Sequence, residues 1–159
     1  RFLGTHFFNP PRYMHLLELI PTPDTDPAVI GAMRAFAERT LGKGIVMAKD
    51  VPGFVANRLG VYGMVATMRR MEQHGLSIDE VDGLTGALIG RARTATFRTG
   101  DLTGIDVLQH VTRGIGAATG EDFAMPAWVA EQLVATGKLG DKTGGGFYRK
   151  AKDGTFTFD

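Results

Sequence analysis

Apolar and polar positions change their period once along this chain. Phe2 to Phe8 is a short apolar run that stops at Asn9-Pro10-Pro11, which cannot continue a sheet ladder. Leu16 to Ile20 resumes the run and stops at Pro21-Thr22-Pro23. From about Pro27 to Leu41 the spacing turns helical, with Ile30, Met33, Ala37 and Leu41 on one stripe, Asp26 as N-cap and Pro27 in the first turn. Gly44 to Ala48 reads as a third strand. After Asp50-Val51-Pro52-Gly53 the pattern is almost entirely helical. Phe54 to about Gln73 is apolar nearly all round, as in a helix buried against partners. Ser77 with Glu80 forms a capping box for a helix reaching about Leu88. An irregular stretch with Arg91, Arg93 and Arg98 follows, then helices over about Thr103 to Ala118 and Pro126 to Thr136. Gly140 to Tyr148 is a glycine-rich loop, and the residues after Arg149 read as a loose strand or linker.

Composition narrows the partners. With 43% hydrophobic residues the chain can bury a core, and a net charge of +1 gives no pull toward nucleic acid or a membrane surface. The absence of cysteine excludes disulfides and thiolate metal sites and fits a cytoplasmic setting. No apolar run approaches the roughly 20 residues that cross a bilayer. The chain opens on a strand-like segment without a leader, which is expected of a piece of something longer.

Two residues stand out chemically. Glu18 sits among Leu16, Leu17, Leu19 and Ile20, where a carboxylate is costly unless paired. His6 lies in the first strand, and a turn over Asn9 to Met14 can bring the two strands together. A carboxylate on one ring nitrogen fixes the tautomer and leaves the other nitrogen to exchange protons with a substrate. The same pattern also reads as a satisfied core histidine beside a water-facing edge carboxylate. His15, His74 and His110 lack metal-ligand spacing, so no metal is expected. Arg91, Arg93 and Arg98 read as a solvated basic loop or as contacts for phosphates; Gly144 to Gly146 follow a helix and are no phosphate cradle.

Gly4-Thr5-His6-Phe7-Phe8-Asn9-Pro10-Pro11 followed by Leu16 to Thr22, then Lys49 to Leu59, then Lys142 to Tyr148, resemble in order and spacing the motifs of the 3-hydroxyacyl-CoA dehydrogenase family. Residues Ile89 to Gly104 depart from its short members and are closer to the long bacterial multifunctional β-oxidation proteins, where a hydratase module shares the chain. The resemblance implies a mainly α chain. Residues 1–50 would be the last strands and helix of a Rossmann-type NAD-binding domain, 51–149 an all-α domain for substrate and dimerisation, and 150–159 a tail or linker. It implies that His6 takes the proton of a 3-hydroxyacyl-CoA hydroxyl, with Glu18 orienting it and Asn57 bonding near His6 and the thioester or 3-oxo group. Asn9 would lie near the nicotinamide ribose and Lys142 would reach the cofactor.

No Gly-x-Gly-x-x-Gly fingerprint occurs in the sequence, so NAD is expected to be bound mainly by a missing N-terminal half, and the isolated chain is expected to be inactive. A homodimer through the helical part is expected. The alternative is a non-catalytic helical dimerisation or docking module. A nucleic-acid-binding reading of Arg91 to Arg98 is disfavoured by the balanced charge.

Overall fold

The computed structural model describes residues 2–151 and 156–158. They form two compact units, Arg1–Arg58 and Leu59–Asp159.

The first unit is built on β1 (Leu3–Phe7), β2 (Leu16–Pro21), α1 (Pro27–Arg39) and β3 (Gly44–Met47). β2 is the middle strand, antiparallel to β1 and parallel to β3, with α1 as the crossover. β2 is covered on both faces, which is why its residues do not alternate between apolar and polar. Leu17 and Leu19 point to one side and pack with Ala37 of α1, joined by Leu3, Met33 and Ile45. Asp26 accepts from the Ala28 amide and Pro27 opens the helix, so α1 starts where local chemistry directs it. The loop between β1 and β2 is tied down by Lys43, which donates to the carbonyls of Pro11 and Met14.

The second unit contains most of α2 (Ala56–His74), then α3 (Ile78–Thr85), α4 (Phe97–Thr103) and α5 (Ile105–Thr119). A π-helical turn covers Val129–Val134, and a hairpin pairs β4 (Tyr148–Lys150) with β5 (Phe156–Phe158). Val65, Met68, Phe97, Ile105, Val129 and Phe147 are the heart of its core, with the Phe147 ring edge-on to Phe97 and Trp128.

Four expectations need correction. The chain is not mainly α with an all-α second part. Helix accounts for about half of it, the first unit is organised by a three-stranded sheet, and the second unit carries the β4–β5 hairpin. Of the strand or linker expected after Arg149 the strand is found, and it is paired, with Arg149 and Thr157 opposite each other in an antiparallel register where a tail or linker was expected from residue 150. α2 is not buried all round, since Leu59 and Tyr62 are 68% and 59% exposed while Val65 and Met68 face the core. Finally, the stretch with Arg91, Arg93 and Arg98 that was expected to be irregular contains α4, which ends at Gly104, whose φ of 97° is not helical, while α5 occupies the helix expected from about Thr103. Asp82 is the cause: its carboxylate accepts from the amides of Thr96, Phe97 and Arg98 and starts α4 from 14 to 16 residues away. No local cap signal announces it.

Candidate active site

The first unit brings His6 and Glu18 face to face. They are directly opposed in the β1–β2 register, so both side chains leave the sheet on the same side. His6 Nδ1 lies 2.7 Å from Glu18 Oε2. Glu18 is fully buried, and its other oxygen accepts from the backbone amides of Val55 at 3.0 Å and Ala56 at 2.8 Å. Three donors therefore converge on one carboxylate, which offsets the cost of burying its charge. Those amides belong to the start of α2, so Glu18 also acts as that helix's remote N-terminal acceptor, where an anion is favoured.

The turn that delivers the amides is written locally. Phe54 N donates to Val51 O at 3.0 Å across Pro52 and Gly53, and Gly53 has φ 76°. Proline then a left-handed glycine is the type II pairing. Phe54 follows at φ 45°, left-handed without being glycine, and its ring centroid lies 5.4 Å from the His6 ring. Phe8 lies 4.6 Å from His6.

Chemically, a carboxylate that only accepts holds the proton on Nδ1 and leaves the Nε2 lone pair outward. The His6 side chain is 27% exposed, so a small-molecule hydroxyl can approach it. The pair is thus a base with a fixed tautomer and a built-in counter-charge for the imidazolium.

The other expected residues are placed as follows. Asn57 is the second residue of α2, one position after the Ala56 amide that binds Glu18. Asn9 is exposed in the turn after β1, before a cis bond to Pro10. Lys142 belongs to the second unit, where its Nζ donates to Asp106 Oδ1 at 2.5 Å. Arg98 is not a loose basic residue: it makes a bidentate pair with Asp141 at 2.6 and 2.7 Å. Sequence reading missed the Val55 and Ala56 amides and the two phenylalanines around His6. The available signal was Pro52-Gly53 ahead of a helix that has no side-chain cap of its own. It also missed Asp101, buried in the second unit, which accepts from the amides of Phe147 and Tyr148 and anchors the glycine-rich motif. Burial pushes the Asp101 carboxyl up, against those two amide bonds and the Arg98 charge, which pull it down.

Among the described residues no cluster has the donors for a metal ion, and no helix is long and apolar enough to cross a membrane. A dinucleotide needs free amides at a helix start to hold its phosphates. The β2–α1–β3 crossover does not offer them, because Asp26 occupies the start of α1 and Pro27 lacks an N–H. Unit one fits the proton-handling side of nicotinamide chemistry and does not fit its phosphates.

A sheet unit carrying a His–Glu base, followed along the chain by a helical unit closed by a glycine-rich motif, is met in a known family of oxidoreductases. Residues 53–150 match the 3-hydroxyacyl-CoA dehydrogenase C-terminal domain, and residues 1–51 match the 3-hydroxyacyl-CoA dehydrogenase NAD binding domain. The chain belongs to the 3-hydroxyacyl-CoA dehydrogenase family. The match over 1–51 also rules out a purely C-terminal all-α piece. It is 59% identical over 155 residues to a probable 3-hydroxyacyl-CoA dehydrogenase of Deinococcus radiodurans, covering 96% of this chain and 44% of that protein. It is 36% identical over 154 residues to a putative fatty acid oxidation complex trifunctional enzyme of Rickettsia felis, covering 94% of this chain and 21% of that one. The crystal structure of (S)-3-hydroxybutyryl-CoA dehydrogenase PaaH1 from Ralstonia eutropha superposes with a TM-score of 0.82 at 30% identity, over 95% of this chain and 53% of that chain. This chain thus spans about half or less of the length of the relatives it matches.

Proposed function

We propose that these residues carry the proton-handling part of an NAD-dependent 3-hydroxyacyl-CoA dehydrogenase that oxidises (S)-3-hydroxyacyl-CoA to 3-oxoacyl-CoA in fatty acid β-oxidation. The observation that carries this reading is the His6–Glu18 pair at 2.7 Å, with the second carboxylate oxygen committed to two amides. His6 Nε2 takes the 3-hydroxyl proton, and Glu18 holds the ring and balances the imidazolium. NAD, when bound, supplies the hydride acceptor. Its phosphates are held by residues other than these, so the isolated chain does not turn over. Asn57 bonds the thioester or 3-oxo oxygen, and Asn9 faces the nicotinamide ribose. A cofactor contact by Lys142 requires it to leave Asp106. The exposed Leu59 and Tyr62 of α2 support a homodimer made by the second unit, and light scattering of the chain at high concentration tests it. The trifunctional Rickettsia relative supports a parent chain that also carries a hydratase module.

The test is a chimera in which these 159 residues replace the matching stretch of the Deinococcus relative, assayed for NADH oxidation with acetoacetyl-CoA. His6→Gln is expected to lower kcat by about 10²- to 10⁴-fold, the usual share of a general base. An unchanged kcat refutes the assignment. Turnover by the 159-residue chain alone refutes its inactivity.

A further inference from the structure

Phe54 combines two features that have no reason to coincide by packing alone. Its φ of 45° puts a bulky residue in the left-handed region, which L side chains rarely adopt. Its ring meanwhile lies against the His6 imidazole. The left-handed step comes immediately before the two amides that reach Glu18.

The second unit repeats the backbone device without the ring. Ala95, at φ 50°, comes immediately before the amides of Thr96, Phe97 and Arg98, which all point at Asp82. At both of these helix starts the amides reach their carboxylate from a left-handed turn, and the second does so without an aromatic side chain. Glycine would take that backbone at no steric cost. What the phenylalanine adds at position 54 is a surface against His6.

We propose that Phe54 is a positioning residue for the dyad. Its backbone turns the Val55 and Ala56 amides onto Glu18, and its ring fixes the imidazole whose Nδ1 that carboxylate holds. One residue thereby sets both members of the pair, and the direction of Nε2 with them. The proposal rests on reading His6–Glu18 as the proton-handling pair.

Nitrogen-edited NMR of the imidazole in the 159-residue chain tests it through solvent exchange of the His6 Nδ1 proton. Phe54→Gly keeps the backbone turn and deletes the ring, so the Val55 and Ala56 amides stay protected while the Nδ1 proton exchanges faster. The expected increase is about tenfold, the factor that follows from weakening one hydrogen bond to a charged group. Phe54→Ala gives the same acceleration with the two amides still protected, because Ala95 holds the same turn in the second unit; Phe54→Tyr behaves as the parent. Met33→Ala, which thins the unit-one core, controls for general loosening and leaves the Nδ1 proton slow. Exchange at the parent rate in both Phe54→Gly and Phe54→Ala overturns the proposal, as does equal acceleration by Met33→Ala. In the chimera, Phe54→Gly lowers kcat about tenfold with KM unchanged. A silent His6→Gln there sinks the proton-handling reading, whereas a dead His6→Gln beside a normal Phe54→Gly sinks the Phe54 assignment alone.

Discussion

Replacing Glu18 by Gln and by Ala separates its two duties. In Glu18→Gln only one side-chain oxygen remains, and the Val55 and Ala56 amides, both fixed donors, claim it. Turning the new NH2 toward them would put three donors together, so the NH2 faces His6 instead. Nδ1 must then accept, and the ring proton moves to Nε2. The base becomes a donor with almost no change in shape. All three hydrogen bonds fall from charge-assisted to neutral strength, a loss of about 2–3 kcal/mol, partly offset because no charge is buried any longer. Glu18→Ala leaves the two amides and the imidazole without their acceptor and opens a void on the His6 face of β2. At roughly 1–3 kcal/mol for each stranded donor, moderated by water reaching the half-buried Ala56, the cost is about 3–4 kcal/mol. That is a large share of the 5–15 kcal/mol typical of a whole domain. Hydrogen exchange at the Leu17 and Leu19 amides of β2 measures the stability difference, and imidazole nitrogen spectra read the tautomer. Retention of the Nδ1 proton in Glu18→Gln, or equal stability of the two variants, would refute the reasoning. In the chimera both variants fall with His6→Gln, by about 10²-fold or more.

The second unit is equally open to test. A Cβ on Gly146 would overlap Asp101 Oδ1 and crowd the backbone of Gly140, so Gly146→Ala forces Asp101 off the Phe147 and Tyr148 amides. The expected loss is about 3–5 kcal/mol, seen as a lower denaturation midpoint in the fluorescence of Trp128, the chain's single tryptophan. Burial, and then the neighbouring Asp82 charge, push the Tyr148 hydroxyl far above the ordinary tyrosine range. Alkaline titration followed by phenolate absorbance should therefore show Tyr148 ionising only as the second unit unfolds. The folded state binds that proton more tightly than the unfolded chain. The associated stability is intact below about pH 10 and declines as pH rises beyond it. A Tyr148 phenolate in the folded unit would contradict this.

Legibility from sequence followed the range of the interactions. α1 and α3 were readable because Asp26, Pro27, Ser77 and Glu80 act within three residues of themselves. β2 was readable from its apolar run, and Glu18 stood out as the one charge within it. What could not be read were the effects of partners far along the chain: Asp82 starting α4, Asp101 holding Phe147, and Glu18 reaching the first turn of α2. The hairpin after Arg149 depends on pairing that no local propensity announces. Lys142 shows the same limit, because the sequence marks a lysine in a motif and the fold supplies Asp106 beside it.

Asp101 also carries a consequence for how the chain is made. It leaves the ribosome 46 residues before Phe147, the nearer of its two donors. Until then a carboxylate destined for the interior has nothing to bind it and must stay in water, holding α4 away from its final packing. Synthesis at about 5–20 residues per second makes that wait a matter of seconds. The last glycines of the motif thus act as a clasp, and a chain stopped short of Tyr148 would keep α4 open and its apolar side presented to chaperones.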